Sequence, residues 1–270
     1  MASELAHRPT GVVSIYCAAE SHPTTPFVNT RPAAQHYAAS TMKVAVLLAA
    51  YRACDDGSWS ADAPVLVHDT FASAAGGTFS STRGYDSDTA VWDRLDSEVP
   101  AAWLLERMIV RSSNLATNLV IEHLGFDAVN HSWQIAGSEG CAVQRLIQDN
   151  RASWITNQVT APGLSMLMKA VTSGSAASAS STVEMIGALL ANEIIGDVMA
   201  GLPTGTWAAH KNGWIEGVQH TTALIRPDDA PGYFLTVCSS TGLPKAEGQR
   251  MVARVARASW ADRFRIATFA

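Results

Sequence analysis

The chain carries strand-like segments at both ends and helical ones between them, and this arrangement limits the folds open to it. Residues 11–19 (GVVSIYCAA) are short, β-branched and apolar, as a buried strand requires. A turn-rich stretch over 20–26 leads to a partner strand at 27–30. Near the other end, 218–226 (VQHTTALIR) and 233–239 (YFLTVCS) read as strands joined by the turn Pro227-Asp228-Asp229-Ala230-Pro231-Gly232. These pieces make one antiparallel sheet from both chain ends.

The middle reads as helices. An apolar helix covers 41–54, with Ser40 at its start, where serine is a favoured N-cap. Further helices cover 101–110, 115–124 (stopped by Gly125), 127–136, 162–172 (opened by Pro162) and 183–192. A long amphipathic helix over 245–264 turns Val252, Val255, Ala256, Ser259 and Trp260 to one face. Residues 173–181 form a loop between helices, and 72–88 show no period. The expected fold class is α/β: an antiparallel sheet flanked by helices, with an all-helical insertion. Residues 1–35 and 200–270 form the sheet subdomain and 36–199 the helical one, with a cleft between them.

Composition removes several function classes. At 270 residues, 47% hydrophobic and 16% charged, the chain can bury a large core and does not resemble a disordered one. Its net charge of −5 gives no basic footprint for nucleic acid. The longest apolar run, 44–51, is far short of the ~20 residues that a spanning helix needs, so no membrane partner is expected. The N-terminus, Met1-Ala2-Ser3-Glu4-Leu5-Ala6-His7-Arg8-Pro9, lacks an apolar segment of secretory length. The expectation is a cytoplasmic protein, although an exported protein stripped of its signal would read the same. Cys17, Cys54, Cys141 and Cys238 form no C-x-x-C pair and read as small buried hydrophobes.

Three short patterns carry the chemistry. Ser40-Thr41-Met42-Lys43 places an amine one helical turn from a hydroxyl. Serine is a weak nucleophile until a base takes its proton, and desolvation among Ala38, Ala39, Val44 and Val46 can lower a lysine to roughly 7–8. Backbone N–H groups at a helix start can hold a developing oxyanion. Ser112-Ser113-Asn114 opens the helix that follows it. Lys211-Asn212-Gly213-Trp214 ends a strand that begins near Trp207, where a cation can hold a carboxylate and glycine admits a ligand to the backbone. Each pattern alone is as well explained by helix caps or a surface turn. Their joint chance occurrence is about 0.08 before order is counted.

Together and in this order, S-x-x-K, S-x-N and K-x-G resemble the signature of the class A β-lactamases and penicillin-binding proteins. The flanks 38–44 and 114–119 resemble the nucleophile and second-motif helices of that group, and 157–162 resembles the end of its omega loop. The resemblance implies a serine β-lactamase/DD-peptidase-like fold. It makes Ser40 the acylated nucleophile, Lys43 its base, Ser112 the proton donor to the leaving nitrogen and Lys211 the carboxylate anchor. It also implies substrate contacts from Asn114, Asn212, Gly213 and Trp214, with the backbone N–H groups of Ser40 and Trp214 as the oxyanion hole. No cofactor and no metal are implied. The partner would be a small molecule bearing a carboxylate and an acyl-amide or ester.

The chain departs from the family at Ser113, where aspartate is usual, and at Asn212, where threonine is usual. No Glu stands between Gly140 and Asn157 to activate a deacylating water. Asp149, His220 or no residue at all takes that role, and His220 is counted among the substrate contacts. The leading reading is a β-lactamase-like serine hydrolase acting through acyl-Ser40. A cytoplasmic transacylase on the same scaffold and a non-catalytic β-lactam or peptide receptor are the alternatives.

Overall fold

Two-residue alternation along five strands builds the sheet and decides what each of its faces meets. In the computed structural model, which describes residues 11–269, the front of the chain forms β1 (Val12–Ala19), β2 (Pro26–Thr30) and the short β3 (His36–Tyr37). Residues 1–9, on which the localisation reading rests, lie outside the described residues. The middle supplies α1 (Lys43–Asp55), α2 (Thr89–Trp92), α3 (Ala101–Val110), α4 (Asn114–Ile135), α5 (Ala161–Thr172) and α6 (Ala179–Leu190). Between these helices β4 (Pro64–Leu66) pairs with β7 (Glu98–Pro100), β5 (Thr70–Ala72) with β6 (Thr78–Ser80), and β3 with β8 (Gln158–Val159). The chain ends with β9 (Trp207–Ile215), β10 (Val218–Arg226), β11 (Tyr233–Ser240), α7 (Lys245–Ala261) and α8 (Arg263–Thr268).

The sheet runs β2-β1-β11-β10-β9 with every neighbour antiparallel, as the sequence predicts. One face turns Tyr16, Ala18, Ala209, Leu224 and Phe234 into the core shared with the helical middle. The next residue along each strand points the other way, so Cys17, Ala208, Ala223, Ile225 and Leu235 meet Val252, Ala256 and Ile266 of the C-terminal helices. At about 1.5–3 kcal/mol for each large apolar side chain removed from water, these two layers clamp the sheet from both sides. The edges of the sheet are β2 and β9, and against β9 lies the turn that carries Ser40.

Several boundaries differ from expectation. Ser40 does not cap a helix. A 3₁₀ turn, Ala39–Met42, precedes α1, and Ser40 lies inside it. Ala39 enters that turn at φ +45°, which starts the winding before the serine. The two helices expected on either side of Gly125 run as one element, broken where Gly125 adopts φ 79°, ψ 157°. The last helix breaks at Asp262 into α7 and α8. The aperiodic stretch 72–88 contains the turn and second strand of the β5–β6 hairpin and a tight segment, 83–88, that abuts α4. All four cysteines are unpaired, Cys17 and Cys238 buried and the other two partly exposed. No helix among the described residues is long and apolar enough to cross a membrane.

Candidate active site

The site begins with a serine whose hydroxyl has no structural task. In the 3₁₀ turn, the Thr41 hydroxyl donates to Ala38 O at 2.6 Å, and Ala38 N donates to Asn157 O at 2.8 Å. The Ser40 hydroxyl makes no hydrogen bond to any described residue, and the side chain is partly exposed. Asn157 braces the turn from below, since its side-chain Nδ2 also donates to Arg145 O and its Oδ1 accepts from the N–H groups of Gln144 and Arg145. From the other side comes Gly213 of β9. A methyl built on it would lie 2.7 Å from Ser40 N and 2.9 Å from Thr41 N. Only a residue without a side chain lets the strand and the turn meet this closely.

One turn along, Lys43 is fully buried. Its Nζ donates to Ser112 O (2.6 Å), Ser112 Oγ (3.2 Å) and Asn114 Oδ1 (2.9 Å), not to Ser40. Ser112 is buried in the left-handed region at φ 59°. Its hydroxyl also accepts from Lys211 Nζ at 3.1 Å, and Lys211 donates a second bond to Asn212 O at 2.9 Å. Two of the chain's four lysines thus meet on one serine oxygen. Two full ammonium charges that close would repel by roughly 3 kcal/mol at an effective dielectric near 20. Burial, and then repulsion from Lys211, pushes Lys43 well below its ordinary value, while Asp86 pulls it back up. Burial lowers Lys211 to about 7 against the opposing pull of Asp197. Burial and mutual repulsion thus loosen the hold of both amines on their extra protons, which suits Lys43 to accept one in its uncharged form.

Asp86, which no sequence pattern signals, organises the start of α4. Its carboxylate accepts from the N–H groups of Asn114 (3.0 Å) and Leu115 (2.8 Å), from Trp92 Nε1 (3.0 Å) and from the Ser113 hydroxyl (3.3 Å). An anion at two free N–H groups of a helix start is favourable. Ser113 is the N-cap and accepts from Ala116 N at 3.2 Å. The unusual serine at 113 therefore has a capping role, and the carboxylate absent there is supplied by Asp86. The Asn114 side-chain amide donates to Tyr85 O at 2.8 Å.

Four expected participants are placed differently. Strand alternation puts Lys211 and Gly213 on the face toward the helical middle and turns Asn212 and Trp214 to the opposite face. The Asn212 amide donates to Ile194 O at 2.7 Å behind the sheet, which corrects the expected substrate contact. The Trp214 ring lies under Lys245 Nζ, 4.4 Å from its centroid, which leaves only its backbone for the cleft. His220 is fully buried, accepts from Ser239 N (2.9 Å) and donates to Tyr37 O (2.8 Å). With both ring nitrogens engaged in the sheet, it is a structural histidine rather than a substrate contact or water activator. Asp149 is also fully buried. Its carboxylate accepts from the Ser73 hydroxyl (2.8 Å) and Ala74 N (2.8 Å), and so pins the β5–β6 hairpin to the loop before α5. No group of His, Cys, Asp and Glu among the described residues is arranged to hold a metal ion.

The model of the beta-lactamase enzyme family matches residues 3–262. No curated protein matches the sequence. Among solved structures, PBP-A is 20% identical, with 96% of this chain and 93% of that one covered at a TM-score of 0.79. A PBP-A variant, 20% identical over 96% and 94% at a TM-score of 0.76, was solved as an acyl-enzyme complex with penicillin G. A beta-lactamase from Sphaerobacter thermophilus is 22% identical over 96% and 95%, with a TM-score of 0.79. An ancestral class A beta-lactamase is 19% identical over 96% and 97%, with a TM-score of 0.78. These likenesses are of fold, and the fold is that of the class A beta-lactamases.

Proposed function

Because the chain belongs to the beta-lactamase enzyme family, its match spanning nearly the whole length, we propose that it is a serine hydrolase that opens an amide, lactam or ester through acyl-Ser40. Uncharged Lys43 takes the Ser40 proton as Oγ attacks the carbonyl carbon. The oxyanion is held by the backbone N–H groups of Ser40 and Trp214. As the bond to the leaving nitrogen breaks, Ser112 gives that nitrogen its proton and regains one from the Lys43 ammonium, 3.2 Å away. Lys211 anchors the substrate carboxylate, and Asn114 orients both Lys43 and the substrate amide. Water then releases the acyl group.

The observation that carries this reading is the meeting of Lys43 and Lys211 on the Ser112 hydroxyl, beside a serine whose own hydroxyl is unengaged. Three motifs far apart in the chain have no structural reason to bury two lysines on one oxygen, because burying amines is costly unless they serve chemistry. The acyl-enzyme form of the PBP-A variant makes penicillin G the natural first probe. Intact-protein mass spectrometry should show one added penicilloyl group on the wild type and none on Ser40→Ala. No adduct with either penicillin G or a fluorophosphonate, or an equal adduct on Ser40→Ala, would overturn the proposal.

A further inference from the structure

Behind the sheet, opposite the cleft, lies a buried polar cluster that the proposed chemistry does not use. Asp197 is fully buried and accepts from Val198 N (2.6 Å) and Gln219 Nε2 (2.9 Å). Asn212 lies beside it as a further hydrogen-bonding neighbour. Cross-strand pairing sets Thr221 opposite Asn212, and Gln219 is two residues along on the same face. Asn212 Oδ1, Gln219 Oε1 and Thr221 Oγ1 are buried and have no partner among the described residues. Three orphaned oxygens around a carboxylate are an expensive arrangement for a merely structural patch.

Asn212 links this cluster to the cleft. Its side chain lies with Asp197, and its carbonyl oxygen accepts from Lys211 Nζ at 2.9 Å. We propose that Asp197 is a positioning residue that sets the charge on Lys211 from behind the sheet, and so sets the pH range in which the cleft captures an anionic substrate. This rests on the reading of Lys211 as the carboxylate anchor.

The groups around Lys211 are few. Lys43 of α1 opposes its charge, Ser112 and the Asn212 carbonyl accept from it, and Thr222 faces it across β10. His210, its strand neighbour, is buried, and burial holds it below its usual range and so uncharged. Asp86 acts on Lys43. Asp197 supplies the attraction that favours the Lys211 ammonium, and burial in turn raises Asp197 to about 6. Asp197 and Lys211 lie on opposite sides of one strand, and each favours the charged form of the other. A substrate carboxylate at Lys211 favours the state in which Lys211 is an ammonium and Asp197 a carboxylate.

Asp197→Asn removes the charge and keeps the volume; its N–H group takes the place of the oxygen that accepts from Gln219 Nε2, and a flip of the Gln219 amide turns the orphaned Oε1 toward it, so the melting temperature should stay near that of the wild type. Its second-order acylation rate by penicillin G, an anion, should lose its alkaline limb about one pH unit earlier. Phosphonylation by an uncharged fluorophosphonate expels fluoride, needs neither a proton for a leaving nitrogen nor a carboxylate anchor, and should show no such alkaline loss. Gln219→Leu, which removes a donor to the Asp197 carboxylate, should move the penicillin limb the same way by less. An unmoved penicillin limb in Asp197→Asn, or equal shifts for both probes, overturns the inference alone. Failure of both probes on the wild type overturns the acyl-Ser40 reading and this inference with it.

Discussion

Replacing Gly213 by alanine tests whether the Ser40 turn and β9 form one reactive unit. The added methyl would sit 2.7 Å from Ser40 N, 2.9 Å from Thr41 N and 3.1 Å from Ala39 Cβ. Carbon contacts relax near 3.5 Å, so the turn and the strand must part by roughly 0.7 Å. Two of the three obstructing atoms are backbone and cannot swing aside. The turn is held between Asn157 O on one side and the buried start of α1 on the other. Gly213 has no left-handed φ, so alanine meets no conformational penalty and the whole effect is steric. Overpacking of this kind costs about 1–3 kcal/mol of stability, which a domain of this size tolerates. The larger loss falls on chemistry. A shift of this size misaligns the Ser40 N–H from the developing oxyanion, and such misplacement costs about 100-fold in rate, or ~3 kcal/mol. The assay is the penicillin G acylation rate from quenched intact-mass time courses, beside a thermal melt. Acylation within threefold of wild type in a destabilised Gly213→Ala protein would refute the oxyanion role of the turn. No change in rate or melt would refute the contact itself.

Three further outcomes follow from the same geometry. Lys43→Met should slow acylation by about 10²–10⁴-fold, the usual worth of a general base, and retention of more than a tenth of the rate in the same time courses would remove Lys43 as the base. Asp86→Asn removes the anion that raises Lys43; because the neutral amine is the working form, the acid limb of the acylation-rate profile should move to lower pH, and a shift to higher pH would contradict the assignment. Since Asp149 and His220 are both committed to structural hydrogen bonds, nitrocefin should give a burst of about one equivalent followed by slow turnover, and fast linear hydrolysis in stopped-flow would show that another group activates water.

The strands were legible because short β-branched and apolar runs bounded by turns are local features: 223–225 and 233–238 are buried on both faces, and the structure sandwiches them between two cores. Helix ends were less legible. The start of α1 follows a residue, Ala39, at positive φ in a turn that packs on β9, and beyond the break at Asp262 α8 packs back on β1; a window of sequence contains neither contact. The stretch 72–88 had no period because its role is not periodic: it closes a hairpin and then delivers Asp86 to a helix start contributed by residues 114 and 115.

Motif spacing brought out Ser40, Lys43, Ser112, Asn114 and Lys211, since each pattern is three or four residues long and its chemistry is local. Misplacing Asn212 had a different origin. Its neighbour Lys211 and its place on a strand already required the two side chains to point to opposite faces, and the family pattern outweighed that simple geometry. The consequence is physical. A threonine expected to meet substrate is replaced by an amide that faces away, so on the proposed reading a substrate carboxylate is left to Lys211, whose ammonium form burial disfavours. A site built this way must restore that charge from somewhere when an anion arrives, and its own strand offers only an uncharged histidine and an amide. On the proposed reading that support comes through the sheet, from Asp197, while Asp86 acts on Lys43.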